Sequence, residues 1–267
     1  MANDFERSLT RANLSANTIS AYLFAVEQFT KKYKRMTKAN LLAYKGFLTE
    51  TYKPKTVNLR IQGINKYLAY IGQEKLQLKA IKIQQKNFLE NVISDPDYEF
   101  FKLSLKKDSN MPWYFVIRFL GATGARISEL LQFKAEHVLK GYFDIYSKGG
   151  KIRRIYIPKK LQQEALAWLA SLGKSSGYLF LNKSGQRITS RGVSVQLKKL
   201  AIKYGIDPKV VYPHSFRHRF AKNFLEKYND IALLADLMGH DSIETTRIYL
   251  RRTSTEQKDI VDRIVVW

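Results

Sequence analysis

Cysteine is absent from the 267 residues, histidine occurs only at His137, His214, His218 and His240, and acidic side chains are outnumbered two to one by basic ones, 23 against 46. The first absence excludes disulfide scaffolds, thiol nucleophiles and cysteine-based zinc modules; a reducing cytoplasm fits it. No apolar run approaches the roughly 20 residues needed to cross a bilayer, and Met1 to Arg11 has no signal-peptide apolar stretch. The protein is therefore expected to be cytoplasmic, with no membrane partner. Familiar catalytic motifs are missing too. Gly173-Lys174-Ser175 looks like the end of a phosphate-binding P-loop, but Trp168 stands where its first glycine is required. There is no HExxH, no G-x-S-x-G elbow and no Asp/Glu cluster of the two-metal kind. Any phosphate chemistry must run on side chains, with no metal and no cofactor.

What the chain does have is positive charge and apolar bulk. The net charge is +23, far beyond the roughly 2 to 8 that solubility asks of a small domain. Residues 1–86 carry 16 basic and 5 acidic side chains, and residues 87–267 carry 30 and 18. Both parts suit a phosphate backbone, as in a body that grips its partner from two sides. A content of 45% apolar and 13% aromatic residues excludes a disordered basic tail. The length fits one large or two ordinary domains.

The first part reads as helices. Ser15 caps one with Ile19, Tyr22, Leu23, Val26 and Phe29 at helical spacing. Thr37 caps a second with Leu41, Leu42, Phe47 and Leu48 inward, and Pro54 opens a third with Val57, Ile61, Ile64 and Leu68, stopped by Gly72. This predicts a helical bundle over 1–80. Lys79 to Asn91 is basic, polar and weakly periodic, and a linker is placed at 81–93. The second domain, 94–255, is expected to be mainly helical with a small β-sheet. Its strands are Tyr142–Tyr146 and Ile152–Ile157, on either side of Ser147-Lys148-Gly149-Gly150-Lys151. Helical patterns cover 161–172, 190–204, 214–227 and 231–237, and residues 256–267 form a tail.

Chemistry-bearing residues are scattered along this second part. Ala122-Thr123-Gly124-Ala125-Arg126-Ile127-Ser128-Glu129-Leu130 puts Arg126 beside a glycine-flanked turn; Lys148 follows in the hairpin, then His214-Ser215-Phe216-Arg217-His218, then Gly239-His240, with Tyr249 nine residues on. Singly, each has a plainer role. Arg126 could pair with Glu129, His214 and Arg217 could serve a helix end, Lys148 could be a basic turn, and His240 and Tyr249 could be packed in the core. Jointly, and in this order, they resemble the tyrosine recombinase (phage integrase) family, including its Xer-like members. The N-terminal Leu14-Ser15-Ala16-Asn17-Thr18-Ile19 and Tyr22 resemble the opening of that family's core-binding domain.

The resemblance implies a fold of an N-terminal core-binding (SAM-like) bundle plus a tyrosine-recombinase catalytic domain. It also implies an activity: site-specific DNA recombination through a 3′-phosphotyrosyl intermediate and a Holliday junction. Double-stranded DNA and further copies of the chain are the implied partners, as a tetramer on two DNA sites and a monomer or dimer when free. The residue types suit this chemistry. Guanidinium forks at Arg126 and Arg217 can hold the nonbridging oxygens of a pentacoordinate phosphate, and His240 can donate to the same group. Tyr249 as nucleophile needs cations or a base such as His214, because a phenol titrates near pH 10. Lys148 is the candidate general acid for the departing 5′ oxygen. The alternatives are a non-catalytic sequence-specific DNA-binding protein and a type IB topoisomerase-like DNA relaxation.

Two clusters are candidates for DNA contact: Lys53, Lys55, Thr56, Asn58 and Arg60 at one helix start, and Thr189, Ser190, Arg191 and Gln196 at another. A solvated basic face is the other reading of both. The bundle opens almost at Met1, so no dependence on distant arm sites is expected. Ile260, Ile264 and Trp267 form an apolar stripe too short to stand alone. The resemblance implies that this tail docks on a neighbouring protomer, and docking back on its own domain is the alternative.

Overall fold

The computed structural model describes residues 2–83, 91–146, 152–250, 258 and 261–265. The chain divides into two compact units, Met1–Gln85 and Lys86–Trp267. The linker expected at 81–93 overlaps residues 84–90, which lie outside the described residues.

The first unit contains α1 (Ala2–Arg11), α2 (Ala16–Lys32), α3 (Lys38–Thr51) and α4 (Pro54–Tyr70). Ser15 Oγ accepts from the Thr18 amide at 3.2 Å and Thr37 Oγ1 from that of Asn40 at 3.3 Å, so both caps satisfy amides that the helix itself cannot. Phe29, Leu41, Tyr44, Leu48, Ile61 and Ile64 make the centre of its core. Leu42, expected inward, is 53% exposed. Tyr44 takes the inward place, its hydroxyl donating to Gln28 Oε1 at 2.8 Å. Helix α1 was not expected, because its polar sequence offers only Phe5 and Leu9 as anchors. Both are buried, and Phe5 meets Tyr67 of α4 edge-on at 5.0 Å. The chain leaving the bundle is pinned by asparagines. Asn65 bonds both the N–H and C=O of Leu78, and Asn58 those of Ile81, all at 2.8 to 2.9 Å.

The second unit runs through α5 (Asp95–Lys107), α6 (Met111–Thr123), α7 (Ile127–Leu130) and α8 (Ala135–Lys140) to β1 (Tyr142–Tyr146) and β2 (Ile152–Tyr156). Then follow α9 (Lys159–Ser171), α10 (Ser190–Lys203), α11 (Pro213–Lys227), α12 (Ile231–Met238), α13 (Ile243–Arg247) and a short 3₁₀ turn, Ile248–Leu250. The sequence showed no helix over α5 and α6. Helix α6 is apolar on nearly every side, with Phe115, Val116, Ile117, Phe119 and Leu120 all buried, so no 3.6-residue stripe marks it. It is the central helix: Phe115 stacks on Trp168 of α9 at 4.5 Å, and Phe119 meets Phe133 at 5.2 Å. The β-strands pair antiparallel, Tyr142 opposite Tyr156 and Tyr146 opposite Ile152. Their connecting residues 147–151, and Lys148 with them, lie outside the described residues. Buried Ser215 of α11 accepts from the Ile93 amide at 2.7 Å, fixing the start of the unit to the helix that carries His214 and Arg217.

Candidate active site

Two helix ends build the site. Helix α6 stops at Gly124 and α12 at Gly239, both left-handed with φ of 62° and 61°. A Cβ at Gly124 would lie 2.5 Å from Phe220, and one at Gly239 would lie 2.3 Å from Arg153 Cδ. Only glycine fits either place. The carbonyls exposed at these ends collect guanidinium groups. Arg217 Nη1 donates to Gly124 O, while Arg153, Arg217 and Arg126 donate in turn to Leu237 O, Met238 O and Gly239 O at 2.9, 2.7 and 2.7 Å. Three successive carbonyls at the negative end of α12 thus each face a different arginine, an arrangement that the helix dipole favours.

Glu129 ties the cations together from beneath. Its Oε1 accepts from Arg126 Nη1 and from Arg153 Nη1, both at 2.8 Å, and its Oε2 accepts from the Arg126 amide at 2.6 Å. Burial pushes this carboxyl up, but Arg153 and Arg126 outweigh burial and hold it below its usual range. It stays ionised, as a buried carboxylate between two guanidiniums must. Arg217 is only 3% exposed. Burial, with repulsion from Arg126, brings it down to about 10, so it remains cationic at neutral pH.

His240 lies 3.0 Å through Nε2 from Arg217 Nη2, and its Nδ1 is 2.7 Å from Thr246 Oγ1. A guanidinium only donates, so Nε2 accepts and the ring proton sits on Nδ1, donated to Thr246. Burial first, then Arg217 and Arg126, hold this imidazole near 4, neutral in the working range. Tyr249 is 6% exposed on the 3₁₀ turn. Its ring lies parallel to that of His240 at 6.1 Å and is 5.4 Å from that of His218. Burial raises its phenol and Arg217 pulls it back. His214 stands exposed in the first turn of α11, and loss of hydration, then Arg217 and Arg126, hold it below the usual imidazole range. His218, one turn on, is pushed to about 4 by burial.

The structure therefore gathers Arg126, Arg217, His240 and Tyr249 from across the domain. Of the DNA-contact candidates, Lys53, Lys55, Ser190 and Arg191 are exposed, with Thr56 and Gln196 half-buried. Thr189 caps α10, accepting from the Gly192 amide at 3.0 Å. Asn58 and Arg60 are engaged inside the bundle instead: Asn58 clamps Ile81, and Arg60 donates to Ala21 O at 3.2 Å and lies over Phe24 at 4.1 Å. Their helix start is right, but these two side chains turn toward their own unit.

In the sequence Arg153 has no assigned role, and Glu129 stands only as a neutraliser of Arg126. A signal existed for Arg153. In the strand Ile152-Arg153-Arg154-Ile155-Tyr156 it shares the inward register with Ile155, and a charge on an inward register position asks for a buried partner.

A model of the phage integrase family matches residues 98–256. Tyrosine recombinase XerA of Pyrococcus furiosus is 30% identical over 97% of this chain and 92% of its own length. Tyrosine recombinase XerD of Listeria monocytogenes is 30% identical over 94% and 93%. Among solved structures, XerH site-specific recombinase bound to palindromic difH substrate aligns with TM-score 0.71 at 21% identity, over 98% of this chain and 84% of that one. A lambda integrase dimer bound to a core site aligns with TM-score 0.73 at 16% identity, over 100% and 77%. These two likenesses speak for the fold, mainly helical with a small two-stranded sheet.

Proposed function

Because the chain belongs to the phage integrase family of tyrosine recombinases, we propose that Tyr249 is its nucleophile and that Arg126, Arg217 and His240 form its phosphate pocket. The protein is a site-specific DNA recombinase, which cuts and rejoins DNA by transesterification through a 3′-phosphotyrosyl intermediate, with strand exchange through a Holliday junction. A non-catalytic DNA-binding protein and a topoisomerase-like relaxation are the less favoured readings. The observation that carries the assignment is the convergence of Arg126, Arg217 and Tyr249 on the end of α12, with His240 at 3.0 Å from Arg217 and its ring parallel to that of Tyr249.

In this reading the scissile phosphate takes N–H groups of Arg126 and Arg217 beyond those held by the carbonyls. A guanidinium has five such donors, and Arg126 remains 37% exposed at its side chain. Preorganised cations here stabilise the charge that grows on the phosphorane without reorganising. Burial leaves the phenol of Tyr249 raised, and Arg217 offsets part of that rise, which favours the phenolate relative to an equally buried phenol without the cation. For His240 to donate to phosphate, Arg217 must turn its N–H from Nε2 to the phosphate and the ring must carry its proton on Nε2. His214, open to solvent above α11, adds a donor or base, and Lys148 supplies the proton that the 5′ oxygen needs on leaving. The phosphotyrosyl ester conserves the energy of the broken bond, so a second 5′ hydroxyl reverses the step without ATP.

Double-stranded DNA is the substrate; XerH is seen bound to its difH substrate, lambda integrase to a core site, and the Tn1549 transposon integrase to transposon right end DNA. Lys53, Lys55, Thr56, Ser190, Arg191 and Gln196 are the proposed contacts, acting in the cytoplasm as a tetramer on two sites, with the 256–267 tail docked on a neighbouring protomer. Incubation with a nicked suicide substrate tests the core of this reading. Wild type should form a covalent protein–DNA adduct and Tyr249→Phe none, while Lys148→Ala should recover on a 5′-phosphorothiolate whose leaving group needs no proton. An adduct with the phenylalanine variant removes Tyr249 from the role, and absence of thiolate rescue removes Lys148. Truncation at residue 255 should leave single-site binding intact and weaken pairing of two sites, and normal pairing by the truncated protein counts against docking in trans.

A further inference from the structure

Arg153 plays no part in the chemistry just described, yet its guanidinium bridges a carboxylate and a helix-end carbonyl beneath it. It is 9% exposed, and its guanidinium reaches Glu129 Oε1 at 2.8 Å and Leu237 O at 2.9 Å at once. The first contact is shared with Arg126, and the second lies one residue from the carbonyl held by Arg217 and three from His240. Its Cδ fills the space that a side chain on Gly239 would need. Its Nη2 is buried with no hydrogen-bond partner. A buried arginine with a donor left over is a poor stabiliser, since an apolar side chain of similar volume packs as well without the desolvation cost. Geometry, rather than stability, is what this side chain supplies.

We propose that Arg153 is a positioning residue of DNA cleavage: by holding Glu129 and the Leu237 carbonyl together, it sets the Arg126 guanidinium and the His240 end of α12 in one frame. The inference rests on the assignment of Arg126, Arg217 and His240 to the phosphate pocket. Without Arg153, Glu129 keeps only Arg126 as a direct partner, and the α12 end loses one of its three guanidinium ties. The groups facing the Glu129 carboxylate are Arg126 at the start of α7, Arg153 from β2 and Arg217 from α11. Arg153 is the largest charge holding that carboxyl down.

The test uses the full chain, single-turnover cleavage of a nicked suicide substrate across pH, and binding of the same duplex. Arg153→Met should bind DNA as wild type does and cleave about 10- to 100-fold more slowly, the loss expected when reacting groups shift by about 1 Å. Its pH–rate profile should gain an acid limb at higher pH, as Glu129 protonates more readily. Arg153→Lys should keep the wild-type position of that limb and still cleave slowly, because one ammonium cannot span both acceptors. Cleavage by Arg153→Met at the wild-type rate overturns the proposal, and so does slow cleavage with an unmoved acid limb, which is what a purely structural role gives. Should Arg153→Met lack the native circular dichroism, Arg153→Gln takes its place with the same two readouts: slow cleavage with the acid limb moved to higher pH upholds the proposal, and a wild-type rate or an unmoved limb overturns it. Arg126→Ala run alongside separates the two levels. Its loss of adduct with normal Arg153→Met cleavage sinks this inference only, whereas normal cleavage by Arg126→Ala sinks the phosphate pocket itself.

Discussion

The bundle over Met1–Gln85 buries an apolar core and takes in charge only as far as half-buried Arg60, whereas Thr123, Glu129, Arg153, Ser215, Arg217 and Thr246, the buried polar and charged side chains among the described residues, all lie in Lys86–Trp267. The two units carry similar net charge by sequence but use it differently. Cations that track a DNA backbone work best in solvent, free to release counterions as they meet phosphate. Cations that must stabilise a phosphorane work best desolvated and already aimed, and this costs burial that carbonyls and a carboxylate have to offset. The difference predicts that substituting a buried cation of the second unit changes the cleavage rate, while substituting an exposed cation of either unit changes DNA affinity or base preference.

Arg217→Ala should be the severest break of that contrast. Cleavage should fall by about 10²- to 10³-fold, as for loss of one preorganised donor. The unit should also lose roughly 3 to 5 kcal/mol of stability, because Gly124 O, Met238 O and His240 lose a buried charged partner. Single-turnover kinetics and urea unfolding followed by tryptophan fluorescence measure both, since Trp113, Trp168 and Trp267 all belong to the second unit. A variant that loses rate at unchanged stability would show that Arg217 is not the structural pivot its burial indicates.

Acid should separate the units more gently. His218 and His240 titrate near 4 when folded, against 6.5 ordinarily. The unfolded chain therefore takes up their protons first, so their contribution to stability is complete above about 6.5 and drains away as pH falls toward 4. Glu129, held low, adds a further loss below its ordinary 4.5. All four histidines lie in the second unit. The tryptophan-detected urea midpoint should therefore fall between pH 6.5 and 4.5, and His218→Phe should flatten part of the fall. A midpoint constant over that range would refute neutral burial of these rings.

The smallest effects belong to the exposed cations. Lys55→Ala should weaken every duplex alike and lower the salt slope by about 1, whereas Arg191→Ala should alter preference at one base position. Equal, sequence-independent effects from both would erase the distinction between backbone grip and base readout.

Much of the fold is legible in the sequence. Local rules sufficed where a residue's role depends on its neighbours in the chain: Ser15 and Thr37 as caps, Pro54 as a helix opener, and the Val57, Ile61, Ile64, Leu68 stripe facing inward. The order of Arg126, Lys148, His214, Arg217, His240 and Tyr249 carried the resemblance to the family that the chain belongs to, because residue type and sequence separation are preserved in the chain itself. Tertiary structure decided what depends on partners far along the chain. Leu42 and Tyr44 compete for one inward position, and packing against α2 settled it for Tyr44. Asn58 and Arg60 sit at the predicted helix start, yet Ile81 and Ala21, more than 20 residues away, claimed their polar groups. Helix α1 needed Tyr67 for an anchor, and α6 hid its period by being buried all round. The convergence of three arginines on the end of α12 is the furthest from view. It exists only once helix ends separated by over 100 residues meet, because a buried guanidinium takes its position from carbonyls that no local pattern can place.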